Sequence, residues 1–119
     1  MNSVISNFTP TFSQAWWLLS VAILFEICGT VCMRLSEGFT RATPSVLIFL
    51  FYALSFALNT YVIKVLGLSV VYAVWSGVGT AITAAIGILY FKEPATALKL
   101  ASIGLVVIGV LGVHASSRA

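Results

Sequence analysis

Residues 15–35 read "AWWLLSVAILFEICGTVCMRL", an apolar run with one acidic residue, Glu26, close to its middle. A helix needs about 20 apolar residues to cross a bilayer, so this run is long enough to span one. An acid at the centre of such a helix costs on the order of 2.5–3.5 kcal/mol on the insertion scale for Asp, and such residues mark ion and substrate pathways. The run therefore predicts a membrane helix with a functional carboxylate at mid-depth.

The composition agrees with a membrane protein. Of the 119 residues, 61% are hydrophobic and 8% are charged, whereas soluble domains carry about 25% charged residues. The net charge of +3 is too small and too scattered to indicate a nucleic-acid partner. The first fourteen residues hold no Lys or Arg, so they do not resemble a cleavable signal peptide.

Four apolar stretches predict an all-α membrane protein with four transmembrane helices. We expect a polar extension over 1–15, spans over 16–35, 44–66, 68–91 and 95–115, and a tail over 116–119. Gly38 suits the left-handed position after a helix end, Gly67 allows a tight turn, and Pro94 is expected to open the fourth helix. Such short connections make consecutive helices antiparallel. Basic residues favour one membrane face by only four to two, so the chain is predicted to insert in both orientations. The four are Arg34, Arg41, Lys92 and Lys99; the two are Lys64 and Arg118.

Non-apolar residues form a stripe along each of the first three predicted helices. The stripes are Ala22, Glu26, Thr30 and Met33; Tyr52, Ser55, Phe56 and Asn59; and Tyr72, Trp75, Ser76 and Gly79. Spacings of three and four residues place each set on one helix face. We expect these faces to meet in a polar, aromatic chamber around Glu26.

Glu26 with Trp75 and Tyr72 is suitable chemistry for an organic cation, because ring faces attract cations. Two simpler interpretations remain open. Glu26, when protonated, could merely hydrogen-bond a neighbouring helix, and the rings could merely pack between helices. Gly77 and Gly79 in the third helix predict either close packing or a kink used in gating. The small-residue face of the fourth helix, with Leu105, Gly109 and Gly112, predicts dimerisation.

The segments "FEICGT", "MRLSEGFTRATPS" and "VYAVWSGVGT" resemble the small multidrug resistance family of bacterial exporters over about residues 16–115. This resemblance implies a multi-pass protein of the bacterial inner membrane and an antiparallel homodimer of oppositely inserted copies. In that dimer the site lies between helices one to three of both protomers, and protons exchange for cations. Glu26 matches the shared proton and substrate carboxylate. Tyr72, Trp75 and Tyr52 match its site aromatics, and Thr30 matches a polar neighbour.

The family divides into exporters of quaternary ammonium and polyaromatic cations and exporters of guanidinium. The guanidinium type typically has Trp-Ala where this chain has Gly29-Thr30 and Gly in place of Ile23, which favours the polyaromatic-cation type here. "FKEPATALK" looks instead like the guanidinium branch. The chain also departs from the family pattern: Arg34 replaces a Lys, Gly67 replaces a Pro, and Asn59 stands where an apolar residue is common.

We therefore predict a proton-coupled antiporter that exports lipophilic or quaternary ammonium cations, with Glu26 binding either proton or cation. The alternatives are guanidinium export, and a non-transporting partner subunit of a heterodimeric exporter. A proton-driven rotor subunit also has a mid-membrane carboxylate, but usually only two helices. The sequence shows no nucleophile–base set and no metal-ligand cluster, so neither enzymatic activity nor a cofactor is expected.

Overall fold

The computed structural model describes residues 8–118, and these form four α-helices. The helices are α1 (Phe12–Leu35), α2 (Ala42–Leu66), α3 (Leu68–Leu89) and α4 (Ala97–Arg118). The described residues contain no strand, and each helix is long and apolar enough to cross a membrane. The predicted all-α, four-span membrane fold is thus confirmed. Residues 1–7 of the predicted extension and residue 119 of the predicted tail lie outside the described residues.

The first helix begins four residues before the predicted span, because Thr11 caps it. The Thr11 hydroxyl accepts a hydrogen bond from the Gln14 amide at 3.2 Å, and the Gln14 side chain accepts one from the Thr11 amide at 3.0 Å. This reciprocal pair is a capping box. The end of the predicted extension is therefore helical.

The other helix ends that differ from the prediction do so by two or three residues. The start of α4 is informative, because Pro94 was expected to open the helix. Instead Thr96 lies before the first residue of α4, and its hydroxyl accepts a hydrogen bond from the Lys99 amide at 3.1 Å. A side-chain acceptor at this position satisfies an otherwise unpaired amide of the first turn. Pro94 consequently belongs to the connection rather than to the helix.

Glycine residues make possible the two tightest turns, which join α2 to α3 and α1 to α2. Gly67 alone joins α2 to α3, with φ 82° and ψ 157°, a backbone region that is essentially restricted to glycine. Between α1 and α2, Gly38 takes a left-handed φ of 70°, as expected from the sequence, and its neighbours Glu37 and Phe39 are also left-handed, at 49° and 67°. These short turns place α1, α2 and α3 side by side with alternating direction.

The helices form a flat layer of about 45 × 40 × 16 Å rather than a closed bundle. Helix α1 packs along α2 and also contacts α3, and α3 in turn packs against α4. The apolar core lies where the first three helices meet and contains Leu19, Ile23, Ile27, Val62 and Val71. Helices α2 and α3 touch each other only lightly. The space that they leave in front of α1 is the groove described below.

Candidate substrate-binding groove

A groove of about 920 Å³ opens between α1, α2 and α3. Each of the three predicted stripes contributes to its walls. The predicted site residues that line it are Glu26, Thr30, Tyr52, Phe56, Asn59, Tyr72, Trp75 and Gly79. The expected meeting of the three polar faces is thus present in the structure, with Glu26 on the α1 wall.

Glu26 takes part in a short chain of hydrogen bonds between α1 and α2. The Thr30 hydroxyl donates to two acceptors of Glu26, with 3.0 Å between Thr30 Oγ1 and the backbone carbonyl oxygen and 3.2 Å between Thr30 Oγ1 and Oε1 of the carboxylate. Its oxygen lies 2.7 Å from the phenol oxygen of Tyr52. A hydroxyl has one proton to donate, so when Thr30 donates to the carboxylate, Tyr52 must donate to Thr30. The two hydroxyls therefore link the half-buried carboxylate of α1 to α2.

The position of Tyr52 depends on the absence of a side chain at residue 29. Gly29 is buried, and a Cβ there would lie 2.8 Å from Tyr52 Cε2 and 2.9 Å from Cδ2. Carbon atoms do not approach so closely without displacement. Gly29 and Thr30 therefore act together: the first admits the Tyr52 ring, and the second holds its hydroxyl.

Aromatic rings cross the groove from α2 to α3. The ring centroids of Tyr52 and Phe56 are 5.7 Å apart, and those of Phe56 and Trp75 are 6.1 Å apart. Tyr72, one turn before Trp75, also lines the groove and is largely exposed. These rings give a cation near Glu26 several π-faces and apolar contacts.

Two predicted site residues do not reach the groove. The hydroxyl of Ser55 donates to the backbone carbonyl of Ala22 at 2.7 Å, and both residues are fully buried between α1 and α2. The two stripes touch at this level, so these residues join the helices instead of facing the chamber. Met33, also on the α1 stripe, is absent from the groove wall and exposed elsewhere.

The two glycines predicted to kink the third helix have different surroundings in a continuous α3. A Cβ at Gly77 would collide with the side chain of Val110 from α4, so this glycine allows close helix packing. A Cβ at Gly79 would lie 3.6 Å from Glu26 Oε2, so this glycine brings the carboxylate next to the α3 backbone. A gating kink at either residue stays a prediction.

Further along α3 the groove extends beyond the predicted residues. Thr80 and Thr83 continue the α3 stripe four and seven residues after Ser76, so the sequence contained their signal. At the mouth, the Arg34 guanidinium lies 4.9 Å from the centroid of the Phe91 ring. Glu93 also lines the mouth. No sequence pattern indicates this group, because Arg34 lies at the end of α1 and the other two residues lie in the α3–α4 connection, far away in the chain.

Glu93 is turned back towards the groove by the backbone after α3. Lys92 has a left-handed φ of 62°, and the Glu93 amide donates to the Gly87 carbonyl at 3.0 Å. The Glu93 carboxylate then lies close to the Cα of Gly87. The groove is therefore lined by one acid from the middle of α1 and by a second, exposed acid beyond the end of α3.

Comparison with known proteins identifies the family. Residues 14–106 match the model of the Small Multidrug Resistance protein family. The chain belongs to the small multidrug resistance family. Together with the four apolar helices, this membership makes it a multi-pass membrane transporter, and the family consists of transporters rather than enzymes.

The relatives of this chain within the small multidrug resistance family have names that refer to different activities. The chain is 44% identical to the uncharacterized membrane protein YvaE of Bacillus subtilis, over 83% of each chain. It is 40% identical to the multidrug resistance protein EbrA of Bacillus licheniformis, over 82% of this chain and 93% of EbrA. It is 36% identical to the guanidinium exporter of Yersinia pseudotuberculosis, over 87% of this chain and the whole of that protein.

Proposed function

We propose that this transporter is a proton-coupled antiporter of the bacterial inner membrane that exports lipophilic, quaternary ammonium and polyaromatic cations. The observation that carries the proposal is the Glu26 carboxylate, held by Thr30 and Tyr52 in a groove with an aromatic wall. Its substrates are organic cations and protons, which compete for Glu26.

The hydrogen bonds around Glu26 supply a physical basis for this competition. The ionised carboxylate accepts a bond from Thr30 and attracts a cation into the groove. A proton from the outside removes that charge and turns the carboxyl group into a donor, so the attraction for the cation is lost. At the inside, an arriving cation stabilises the ionised form and the proton leaves. One carboxylate thereby prevents both ligands from being carried together in the same direction.

The proposed functional unit is a homodimer of oppositely inserted copies. The groove is open on one side of the flat layer, and a second copy would close it. No residue of the apolar stretch of α4 is buried in one copy. Leu105 is 69% exposed, and a Cβ at Gly109 or Gly112 would have no atom within 4 Å, so this face is open for dimerisation.

Bulky cations are favoured over guanidinium as substrates by the groove around Gly29. Because residue 29 has no side chain, the Tyr52 ring lies against α1 and a volume of about 920 Å³ stays open. A tryptophan here, as in the guanidinium type, would need the space that the ring occupies. The relatives named guanidinium exporters support guanidinium export as the second candidate.

The test is transport by the purified chain alone in liposomes with a pH gradient. We expect proton-driven movement of tetraphenylphosphonium or ethidium, and less movement of guanidinium. Faster transport of guanidinium than of either bulky cation would favour the second candidate. If the chain alone transports none of them but transports after a homologous chain is added, it is the partner subunit of a heterodimer.

A further inference from the structure

Asn59 has a hydrogen-bonding capacity that the described protein does not use. Its side chain lines the groove on α2, and its amide oxygen is buried without a hydrogen-bond partner among the described residues. More than about 90% of buried polar groups in proteins have a partner, and each exception calls for an explanation. An acceptor retained at the wall of a substrate groove suggests that its donor arrives with the substrate.

The register of α1 and α2 places Asn59 on the far side of the cation position from Glu26. The Ser55–Ala22 hydrogen bond of 2.7 Å marks the level at which the two antiparallel helices meet. Glu26 lies about one turn from this level in one direction, and Asn59 lies about one turn from it in the other. Eight residues of rise separate the two along the helix axes by roughly 12 Å. Both side chains line the same groove, so a cation bound at a depth between these two levels lies between them.

The wall of the groove between Glu26 and Asn59 is apolar. Phe56 comes one turn before Asn59 on α2, and its ring contacts that of Trp75 from α3 at 6.1 Å between centroids. A cation bound between Glu26 and Asn59 would therefore rest its carbon substituents against rings. This favours cations with an aromatic or alkyl group over the bare guanidinium ion.

The charge of Glu26 does not distinguish one organic cation from another. An amide oxygen does, because it can accept a hydrogen bond only from a cation that has a donor. Guanidinium and protonated amine groups carry N–H donors, whereas a quaternary ammonium has only N–C bonds. The two ends of an asparagine amide have nearly the same shape, and rotation about its last torsion exchanges them. A cation with an N–H group would select the orientation that presents the oxygen. The amide oxygen gives up no hydrogen bond in this rotation, since it has no partner among the described residues.

We propose that Asn59 is a specificity-determining residue whose amide oxygen accepts a hydrogen bond from the substrate. Among the cations that the proposed function allows, those that combine an N–H donor with an aromatic or alkyl group, such as arylguanidinium ions, are then bound more tightly than quaternary ammonium ions of similar size. This inference rests on the proposed function, in which Glu26 binds the cation, and it names the substrate class of that site.

The experiment compares phenylguanidinium with benzyltrimethylammonium. Both cations have one ring and one positive charge, but benzyltrimethylammonium has no N–H group. Each displaces labelled tetraphenylphosphonium from the purified transporter in detergent, and each is then tested for transport in liposomes. We expect Asn59→Leu to weaken phenylguanidinium binding about tenfold, equivalent to about 1.4 kcal/mol. Binding of benzyltrimethylammonium should change less than twofold. Asn59→Gln, which keeps an amide, should retain part of the preference for phenylguanidinium.

Thr60→Val is the matched control, because the Thr60 hydroxyl bonds within α2 to the Phe56 carbonyl and Thr60 is absent from the groove wall. It should leave both affinities unchanged. Equal loss of both ligands in Asn59→Leu, or no loss of either, would overturn the inference. If that variant does not fold, the affinities of the wild-type transporter still test the proposal. Tighter binding of benzyltrimethylammonium than of phenylguanidinium contradicts it. Absence of any proton-driven transport of tetraphenylphosphonium by the wild type would instead refute the proposed function.

Discussion

The ring of Tyr52 lies directly on Gly29, so that a Cβ at residue 29 would be 2.8 Å from Tyr52 Cε2. This contact lets the Tyr52 hydroxyl reach Thr30 at 2.7 Å, and Thr30 in turn reaches Glu26 at 3.2 Å. A glycine with no chemistry of its own thus determines what surrounds the carboxylate.

Gly29→Ala should weaken the binding of bulky cations. The added methyl group displaces the Tyr52 ring and breaks its hydrogen bond to Thr30, a loss of about 1 kcal/mol or roughly fivefold in affinity. Binding of tetraphenylphosphonium to the purified protein measures the effect. Gly104→Ala is the control, because a Cβ at Gly104 would have no atom within 4 Å. Equal affinities in the two variants would contradict the role assigned to Gly29.

Glu26→Gln should abolish proton-driven transport. The amide keeps an oxygen for the Thr30 hydroxyl but neither exchanges a proton nor carries the charge that attracts a cation. Efflux of ethidium from liposomes with a pH gradient is the measurement. Glu37→Gln should transport normally, since Glu37 is exposed in the α1–α2 connection and its only ion pair among the described residues is with Arg41, at 3.8 Å. Substantial proton-driven efflux by Glu26→Gln would refute the proposed mechanism.

Thr30→Val should weaken the binding of bulky cations. The variant lacks the hydroxyl that lies 2.7 Å from the Tyr52 phenol oxygen and 3.2 Å from Glu26 Oε1, so the Tyr52 ring and the carboxylate are no longer linked. Loss of one such hydrogen bond costs about 1 kcal/mol, or roughly fivefold in affinity. Binding of tetraphenylphosphonium to the purified protein measures the effect. Thr30→Ser keeps the hydroxyl and should keep the wild-type affinity; an unchanged affinity in Thr30→Val would argue against the hydrogen-bond chain.

Gly77→Ala should destabilise the fold, because the new methyl group meets the side chain of Val110 on α4. Such overpacking costs about 1–3 kcal/mol and should lower the thermal unfolding temperature of the protein in detergent. Combining Gly77→Ala with Val110→Ala should recover part of the loss, as expected for two residues in contact. Additive destabilisation in the double variant would count against this contact.

Gly67→Ala should also destabilise the protein, by about 1–3 kcal/mol, because its φ of 82° with ψ of 157° is strained for any residue with a Cβ. Gly67→Pro should be worse, since proline holds φ near −65°. Gly38→Asn serves as the comparison, because Gly38 has a φ of 70° and asparagine tolerates the left-handed region. Thermal unfolding in detergent distinguishes them; an unaffected Gly67→Pro variant would show that the α2–α3 turn adopts another conformation.

The sequence by itself determined the class of fold and much of the groove. Four apolar stretches of membrane-spanning length predict four helices because length and hydropathy are local properties. Spacings of three and four residues predict the faces that carry Glu26, Thr30, Phe56 and Trp75, because the helical repeat is also local. Most of these stripe residues do line one groove.

Only the tertiary structure decided which parts of each stripe face the groove and which join two helices. Crossing helices touch at one level and separate at others, so Ser55 binds the Ala22 carbonyl while Tyr52, on the same stripe, reaches the groove. The contacts of Tyr52 with Gly29, of Gly77 with Val110, and of Arg34 with Phe91 likewise join residues far apart in the chain. Helical periodicity gives the direction of a side chain from its own axis, but helix packing determines what lies there.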